Sequence, residues 1–118
     1  MKRLAMATLA VCGVVGGAAR AAEPVVTAKP SGEAVYTHWC APCHAPGPGH
    51  PGTESLQIKY GGKMPAVLVE RSDLTPQIVS TFVRQGVLLM APFRKSEIAD
   101  AELAALAAFV AGKGASAR

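Results

Sequence analysis

The chain contains 118 residues, which is the size of a single domain. Lysine and arginine number 12 against 8 aspartates and glutamates, which gives a net charge of +4. Three of the basic residues lie within the first 21 positions, so the remaining chain is almost neutral, with 9 basic and 8 acidic residues. An almost neutral domain lacks the basic surface of a nucleic-acid-binding protein, and that class is therefore excluded.

The N-terminus has the pattern of an export signal. Two basic residues precede an apolar run over residues 4–17, and Ala-Arg-Ala at 19–21 fits the small-x-small cleavage rule. The sequence therefore predicts a cleaved signal peptide over residues 1–21 and a periplasmic mature protein. The apolar run is shorter than the roughly 20 residues of a stable membrane span. The alternatives are an uncleaved anchor and a lipoprotein attached through Cys12.

The rest of the chain has helical rather than strand patterns. Residues 22–30 contain two prolines and no helical period, so we expect a flexible leader before a domain of residues 31–114. Residues 115–118 are expected to form a disordered tail. No stretch alternates convincingly between apolar and polar residues, and the fold class is predicted to be all-α, with three to four helices.

Capping residues and breakers divide the domain into elements. In chain order, we expect a first helix at about Gly32–Cys43, a loop at Ala45–Thr53 and an ambiguous stretch at Ser55–Tyr60. A short helix at Pro65–Arg71 and a helix from Thr75-Pro76 to Gly86 should follow. After an irregular segment at Val87–Ile98, the last helix should be capped by Asp100 and ended by Gly112 and Gly114.

A C-x-x-C-H sequence, CAPCH, lies at the end of the first expected helix. Two thiols at this spacing can reach the two vinyl groups at one edge of a porphyrin, and the following histidine then lies under the iron. We therefore predict one covalently bound haem c, with thioether bonds to Cys40 and Cys43 and with His44 as the proximal iron ligand.

Three other kinds of site use closely spaced cysteines. A thioredoxin-like thiol oxidoreductase has its C-x-x-C motif after a buried strand, whereas the residues before Cys40 have a helical pattern. A zinc site could combine the CAPCH residues with His38 or His50, but no second pair has metal-ligand spacing. A plain structural disulfide between Cys40 and Cys43 is the third alternative.

Met90 is the best candidate for the distal iron ligand. It lies in an irregular segment between two helices, and the proline two residues later stiffens the backbone there. A thioether is a soft ligand that suits iron(II). Met90 could instead fill a gap in the core, and Met64, His38 and His50 are the competing ligands.

Several groups of residues make the chain resemble class I cytochromes c over nearly all of residues 31–112. These groups are Gly32-x-x-x-Tyr36 before CAPCH, Thr75-Pro76 at a helix start, Met90-Ala91-Pro92-Phe93, and Leu103 to Phe109. The resemblance implies the cytochrome c fold around one haem, with the first and last helices crossing near Gly32, Tyr36 and Phe109.

The same resemblance implies the roles of the ligands. His44 would be the proximal ligand and Met90 the distal one, and a proline carbonyl, of Pro48 or Pro51, would accept a hydrogen bond from the other nitrogen of His44. The sequence departs from the family pattern at Ala91, which separates Met90 from the proline, and at Ala99, where a capping Ser or Thr is usual.

A weaker resemblance links residues 65–93 to the cytochrome subunits of flavin dehydrogenases such as p-cresol methylhydroxylase. It depends on Leu74-Thr75-Pro76, Val83-Arg84-x-Gly86 and Met90. It implies a flavoprotein dehydrogenase as the redox partner.

Taken together, these observations predict an electron carrier rather than an enzyme, with redox proteins as partners. Four basic residues could steer an acidic partner: Lys59, Lys63, Arg94 and Lys95. The alternative function is a small haem enzyme or ligand sensor of peroxidase type, which needs an open iron position.

Overall fold

The computed structural model describes residue 29 and residues 31–116, so the predicted signal peptide and nearly all of the leader lie outside the described residues. Within these residues lie four helices: α1 over residues 32–44, α2 at Pro51–Tyr60, α3 at Pro76–Gln85 and α4 at Asp100–Ser116. The described residues form no strand apart from one isolated bridge between Val87 and Met90, as the all-α prediction requires. No helix among them is long and apolar enough to cross a membrane.

Helix α1 confirms the first expected helix and ends one residue later, at His44. It is α-helical over Gly32–Val35, π-helical over Tyr36–Cys40 and α-helical again over Ala41–His44. The Ser31 hydroxyl accepts a hydrogen bond from the Ala34 N–H at 3.3 Å and so caps its start.

Helix α2 takes in the ambiguous stretch and also the end of the expected loop. Pro51 occupies its first turn, and the Glu54 carboxylate accepts from the Gly49 N–H at 2.9 Å. The loop therefore ends at His50 rather than at Thr53. The helix stops at Gly61, which has φ 54° and can adopt this left-handed conformation without strain.

The short helix expected at Pro65–Arg71 is a single 3₁₀ turn, Leu68–Glu70. The backbone is extended on both sides of it, at Val67 and Arg71. Arg71 is buried and donates to the Tyr60 hydroxyl at 2.6 Å and to the Asp73 carboxylate, and these bonds draw the chain away from a helical path.

The start of α3 agrees with the sequence prediction, whereas the start of α4 does not. Thr75 caps α3 as predicted, since its hydroxyl accepts from the Ile78 N–H at 3.2 Å, and Gly86 follows the last residue with φ 72°. Asp100 is the first residue of α4 rather than its cap, because its carboxylate binds Arg84 and Lys95 instead. The Glu102 carboxylate accepts from the Ala99 N–H at 2.7 Å.

The end of α4 also differs from the expectation. The helix continues to Ser116, through Gly112 and Gly114 and two residues into the segment assigned to a disordered tail. A glycine inside a helix costs only about 1 kcal/mol and does not by itself end it. The Ser116 hydroxyl donates to the Gly112 carbonyl at 3.0 Å within this last turn.

The core forms where α4 packs against α1, α3 and the 3₁₀ turn. Ile98, Leu106 and Val110 are fully buried there. The predicted crossing of the first and last helices is confirmed, since the rings of Tyr36 and Phe109 lie 5.7 Å apart beside Gly32. This packing fixes the direction of α1 and therefore the position of the CAPCH residues at its end.

Candidate haem-binding site

The two cysteines of CAPCH lie in the last two turns of α1, and both are free thiols. Cys40 is partly buried and packs against the core, whereas Cys43 is exposed. Burial, with a smaller effect from Cys43, raises the pKa of Cys40 to about 11, so this thiol is protonated at neutral pH. Both sulfur atoms therefore lie at the same end of one helix.

His44 follows directly and has an environment suited to metal ligation. Burial lowers its pKa, which favours the neutral imidazole that binds metals. Its Nδ1 atom is buried and has no hydrogen-bond partner within the part of the chain that the structure describes. Buried polar atoms without partners are rare in folded proteins, so this ring fits a site completed by a bound group.

Three side chains hold the backbone around His44. The Tyr36 hydroxyl donates to the His44 carbonyl at 3.1 Å, the Thr53 hydroxyl donates to the Ala45 carbonyl at 3.0 Å, and His50 Nδ1 donates to the Pro42 carbonyl at 3.1 Å. Thr53 is completely buried. Burial, then the charges of Cys40 and Glu70, raises the pKa of Tyr36 to about 12, so its phenol remains a donor.

The resemblance implied a hydrogen bond from His44 Nδ1 to the carbonyl of Pro48 or Pro51. Among the described residues, neither carbonyl accepts such a bond. Pro51 lies in the first turn of α2, and its carbonyl accepts from the Ser55 hydroxyl at 2.7 Å. Gly52 instead lies against the imidazole: a Cβ there would come within 2.6 Å of His44 Cε1 and 2.8 Å of Nδ1.

Sequence reasoning missed the roles of Gly52, Thr53 and Tyr36 at this site. One signal was available for Thr53, because it follows a loop of alternating prolines and glycines that must fold back on the helix end. The carbonyl partners themselves could not be read from spacing, since they depend on how that loop turns. The sequence suggests His50 as a competing metal ligand, whereas in the structure its Nδ1 donates to the Pro42 carbonyl and so supports the CAPCH backbone.

Met90 ends a tight turn that begins at Val87. The two residues exchange backbone hydrogen bonds of 3.0 and 2.9 Å, and Leu88 within the turn has φ 53°. Met90 is partly buried and packs against the same core cluster that Cys40 contacts. Phe93 reaches the Trp39 ring at a centroid distance of 5.7 Å and so ties this segment to the helix that carries CAPCH.

The competing ligands lie in different surroundings. Met64 lines an open cavity of about 450 Å³ together with the polar residues Gln57, Lys63 and Glu70. His38 is exposed and packs edge-on against Trp39. Among the described residues, no three histidine, cysteine, aspartate or glutamate side chains come together as a metal site, which removes the support for a zinc centre.

Comparison with known proteins gives one family. Residues 27–110 match the family described as cytochrome c oxidase, cbb3-type, subunit III. The match covers CAPCH, Met90 and residues 100–110 of α4. No curated protein and no solved structure matches the chain.

Proposed function

This chain belongs to the family of cbb3-type cytochrome c oxidase subunit III, and from that membership we propose that it is a periplasmic electron carrier with one haem c held by Cys40, Cys43, His44 and Met90. Membership in this family of c-type cytochrome domains establishes the all-α cytochrome c fold, covalently bound haem c and electron transfer as the function. The proposal adds which residues bind the haem, how many haems there are, where the protein works and which partner it meets.

The observation that carries the proposal is the partly buried imidazole of His44, which directly follows the two cysteines at the end of α1. Burial keeps the ring neutral, so a nitrogen lone pair is available to a metal. The backbone bonds from Tyr36 and Thr53 hold the end of α1 rigidly, which fixes the ring relative to both sulfur atoms. The chain contains a single C-x-x-C-H sequence, and this supports one haem.

Apolar side chains that the core leaves uncovered also favour a large apolar cofactor. Ile78 and Phe82 lie four positions apart on α3 and are 38% and 41% exposed, while Val79 and Val83 of the same helix are buried. The helix therefore has a wider apolar face than its protein neighbours cover. A porphyrin would bury such a surface and add to the stability of a small domain.

Met90 is the distal ligand in this proposal. Its side chain packs against the same apolar core cluster as Cys40, whereas Met64 is outside that cluster and lines an open cavity. Bound haem supplies a one-electron couple between iron(III) and iron(II). His44 and Met90 would both bind the iron, and two protein ligands favour a carrier over a peroxidase-type enzyme or a ligand sensor, which needs an open iron position.

A flavoprotein dehydrogenase is the proposed electron donor. Of the four basic residues that could steer a partner, Arg94 pairs with Glu97, and Lys95 pairs with Asp100. Lys59 and Lys63 form no ion pair among the described residues, and Lys59 lies 5.6 Å from the Tyr60 ring centre. Lys59 and Lys63 are therefore less neutralised by ion pairs than Arg94 and Lys95, and they are the better candidates to attract an acidic partner.

The ligand assignment is tested by spectra of the exported protein with Met90→Ala and, as the matched control, Met64→Ala. We expect Met90→Ala to abolish the far-red sulfur-to-iron absorption band and to lower the reduction potential, and Met64→Ala to change neither. The reverse pattern contradicts the assignment. The intact mass should equal residues 22–118 plus one haem, and a mass that retains residues 1–21 would refute the cleaved signal.

The partner is tested by gel filtration of a native periplasmic extract. Co-elution of the haem absorbance with flavin fluorescence supports a flavoprotein partner. Elution of the haem absorbance without flavin fluorescence refutes it.

A further inference from the structure

Arg84 joins three separate parts of the chain around the segment that carries Met90. Its Nη1 donates to the Phe93 carbonyl at 3.1 Å, and its Nη2 donates to the Ile98 carbonyl at 2.8 Å. Nη2 also meets the Asp100 carboxylate at 3.0 Å. The Arg84 side chain is 22% exposed, so its two bonds to carbonyls are partly buried, whereas the Asp100 carboxylate is exposed.

The remaining contacts of this segment converge on the same end of α3. The Val83 carbonyl accepts from the Phe93 N–H at 2.8 Å. Gly86 lies so close that a Cβ would come within 2.6 Å of the Met90 carbonyl oxygen. The backbone from Met90 to Ile98 thus packs against or bonds to the end of α3, and the Arg84 guanidinium supplies the bonds that reach farthest along the chain.

We propose that Arg84 is a positioning residue for the distal iron ligand, because its guanidinium fixes residues 87–98 in the path that holds Met90 against the core. This inference rests on the proposed function, in which Met90 is the ligand. Arg84 acts only through the backbone. Without it, the carbonyls of Phe93 and Ile98 lose their charged donor, and the segment can move away from the helix.

An arginine suits this role better than a lysine. The planar guanidinium presents several N–H groups in fixed directions, so one side chain can bind two carbonyls and a carboxylate together. A lysine at this position has a single ammonium on a flexible stem and cannot reproduce the divergent pair of bonds. Arg84→Lys should therefore restore the charge without restoring the full constraint.

The test is the affinity of the oxidised holoprotein for added imidazole, which competes with Met90 for the distal position. Because Arg84→Gln removes hydrogen bonds from a charged group, it should raise the imidazole affinity roughly tenfold to a hundredfold. Arg84→Lys should give an intermediate affinity. The sulfur-to-iron band should weaken most in Arg84→Gln and less in Arg84→Lys.

Two controls separate positioning from general loss of stability. Arg71→Gln removes a similarly buried arginine network in another loop, and Arg94→Gln removes an exposed arginine within the Met90 segment. Neither should raise the imidazole affinity as Arg84→Gln does. An equal rise in Arg71→Gln would overturn the inference, as would an unchanged affinity in Arg84→Gln.

Different results would refute this inference and the proposed function. If Met90→Ala leaves both the band and the imidazole affinity unchanged, Met90 is not the ligand, and the proposed function is wrong on that point. If Met90→Ala abolishes the band while Arg84→Gln binds imidazole like the parent, only the role of Arg84 is refuted. Should Arg84→Gln not accumulate, Arg84→Lys decides: an affinity equal to that of the parent contradicts the proposal.

Discussion

Replacing Gly32 by alanine should separate the two helices on which the haem-binding end of the chain depends. Gly32 begins α1 at the crossing with α4. A Cβ there would collide with the Ala105 carbonyl oxygen and would come within 2.7 Å of Ala105 C and Phe109 Cβ. Because two of these atoms belong to the backbone of α4, no side-chain rotation can relieve the contact.

The magnitude follows from two opposed effects. Overpacking typically costs about 1–3 kcal/mol, and the upper end applies here because backbone atoms must move. Alanine gains up to about 1 kcal/mol over glycine in helix propensity. The net loss in the free energy of unfolding should thus be about 2 kcal/mol, which lowers the melting temperature of a domain this size by roughly 8–16 °C.

Far-ultraviolet circular dichroism of the holoprotein in increasing guanidinium chloride measures this loss. Gly112→Ala is the matched control, since Gly112 lies in α4 with open space around its Cβ position. It should be neutral or should stabilise the protein by up to about 1 kcal/mol. If Gly32→Ala unfolds within about 0.5 kcal/mol of the parent, the crossing does not have the close approach described above.

The other predictions concern the packing around His44 and the stability of the protein at low pH. Gly52→Ala should displace the His44 ring, since its Cβ would lie 2.6 Å from Cε1, and should reduce the low-spin haem absorbance of the exported protein; an unchanged spectrum would contradict this packing. The hydrogen bond from Arg71 lowers the pKa of Asp73, so this contribution to stability is present above the ordinary aspartate pKa of about 4 and is lost as the pH falls through the lower folded value. Asp73→Asn should therefore unfold more easily than the parent at pH 7 and about equally at acid extremes, and a constant difference across the titration would refute the pairing.

The parts of the fold that the sequence predicts are those with local signals. Ser31 and Thr75 each carry the hydroxyl that caps the following helix, and both caps are present. Helix α2 lacked such a signal, because its apolar residues follow no helical period and one of them, Ile58, is 85% exposed. Asp100 had the right chemistry for a cap, but Arg84 and Lys95 compete for the same carboxylate, and a sequence does not show such long-range partners.

At the site, spacing alone was enough to nominate the haem-binding residues, whose assignment stays a prediction. It was not enough to find what supports them. The Thr53 hydroxyl, the His50 ring and the absent side chain of Gly52 act on backbone carbonyls or on the face of the imidazole, and those contacts exist only after the loop of residues 45–50 has turned.

On the two sides of the proposed haem site, the supporting hydrogen bonds join residues at different separations along the chain. Each bond that holds the backbone near His44 joins residues eight positions apart, all within 36–53. The bonds of Arg84 span nine residues to Phe93, 14 to Ile98 and 16 to Asp100. Local contacts cost less chain entropy to form and depend on fewer other elements. Any change that loosens α3 from α4 should therefore displace Met90 before it disturbs His44, so the proposed distal ligand should be lost more easily than the proposed proximal one.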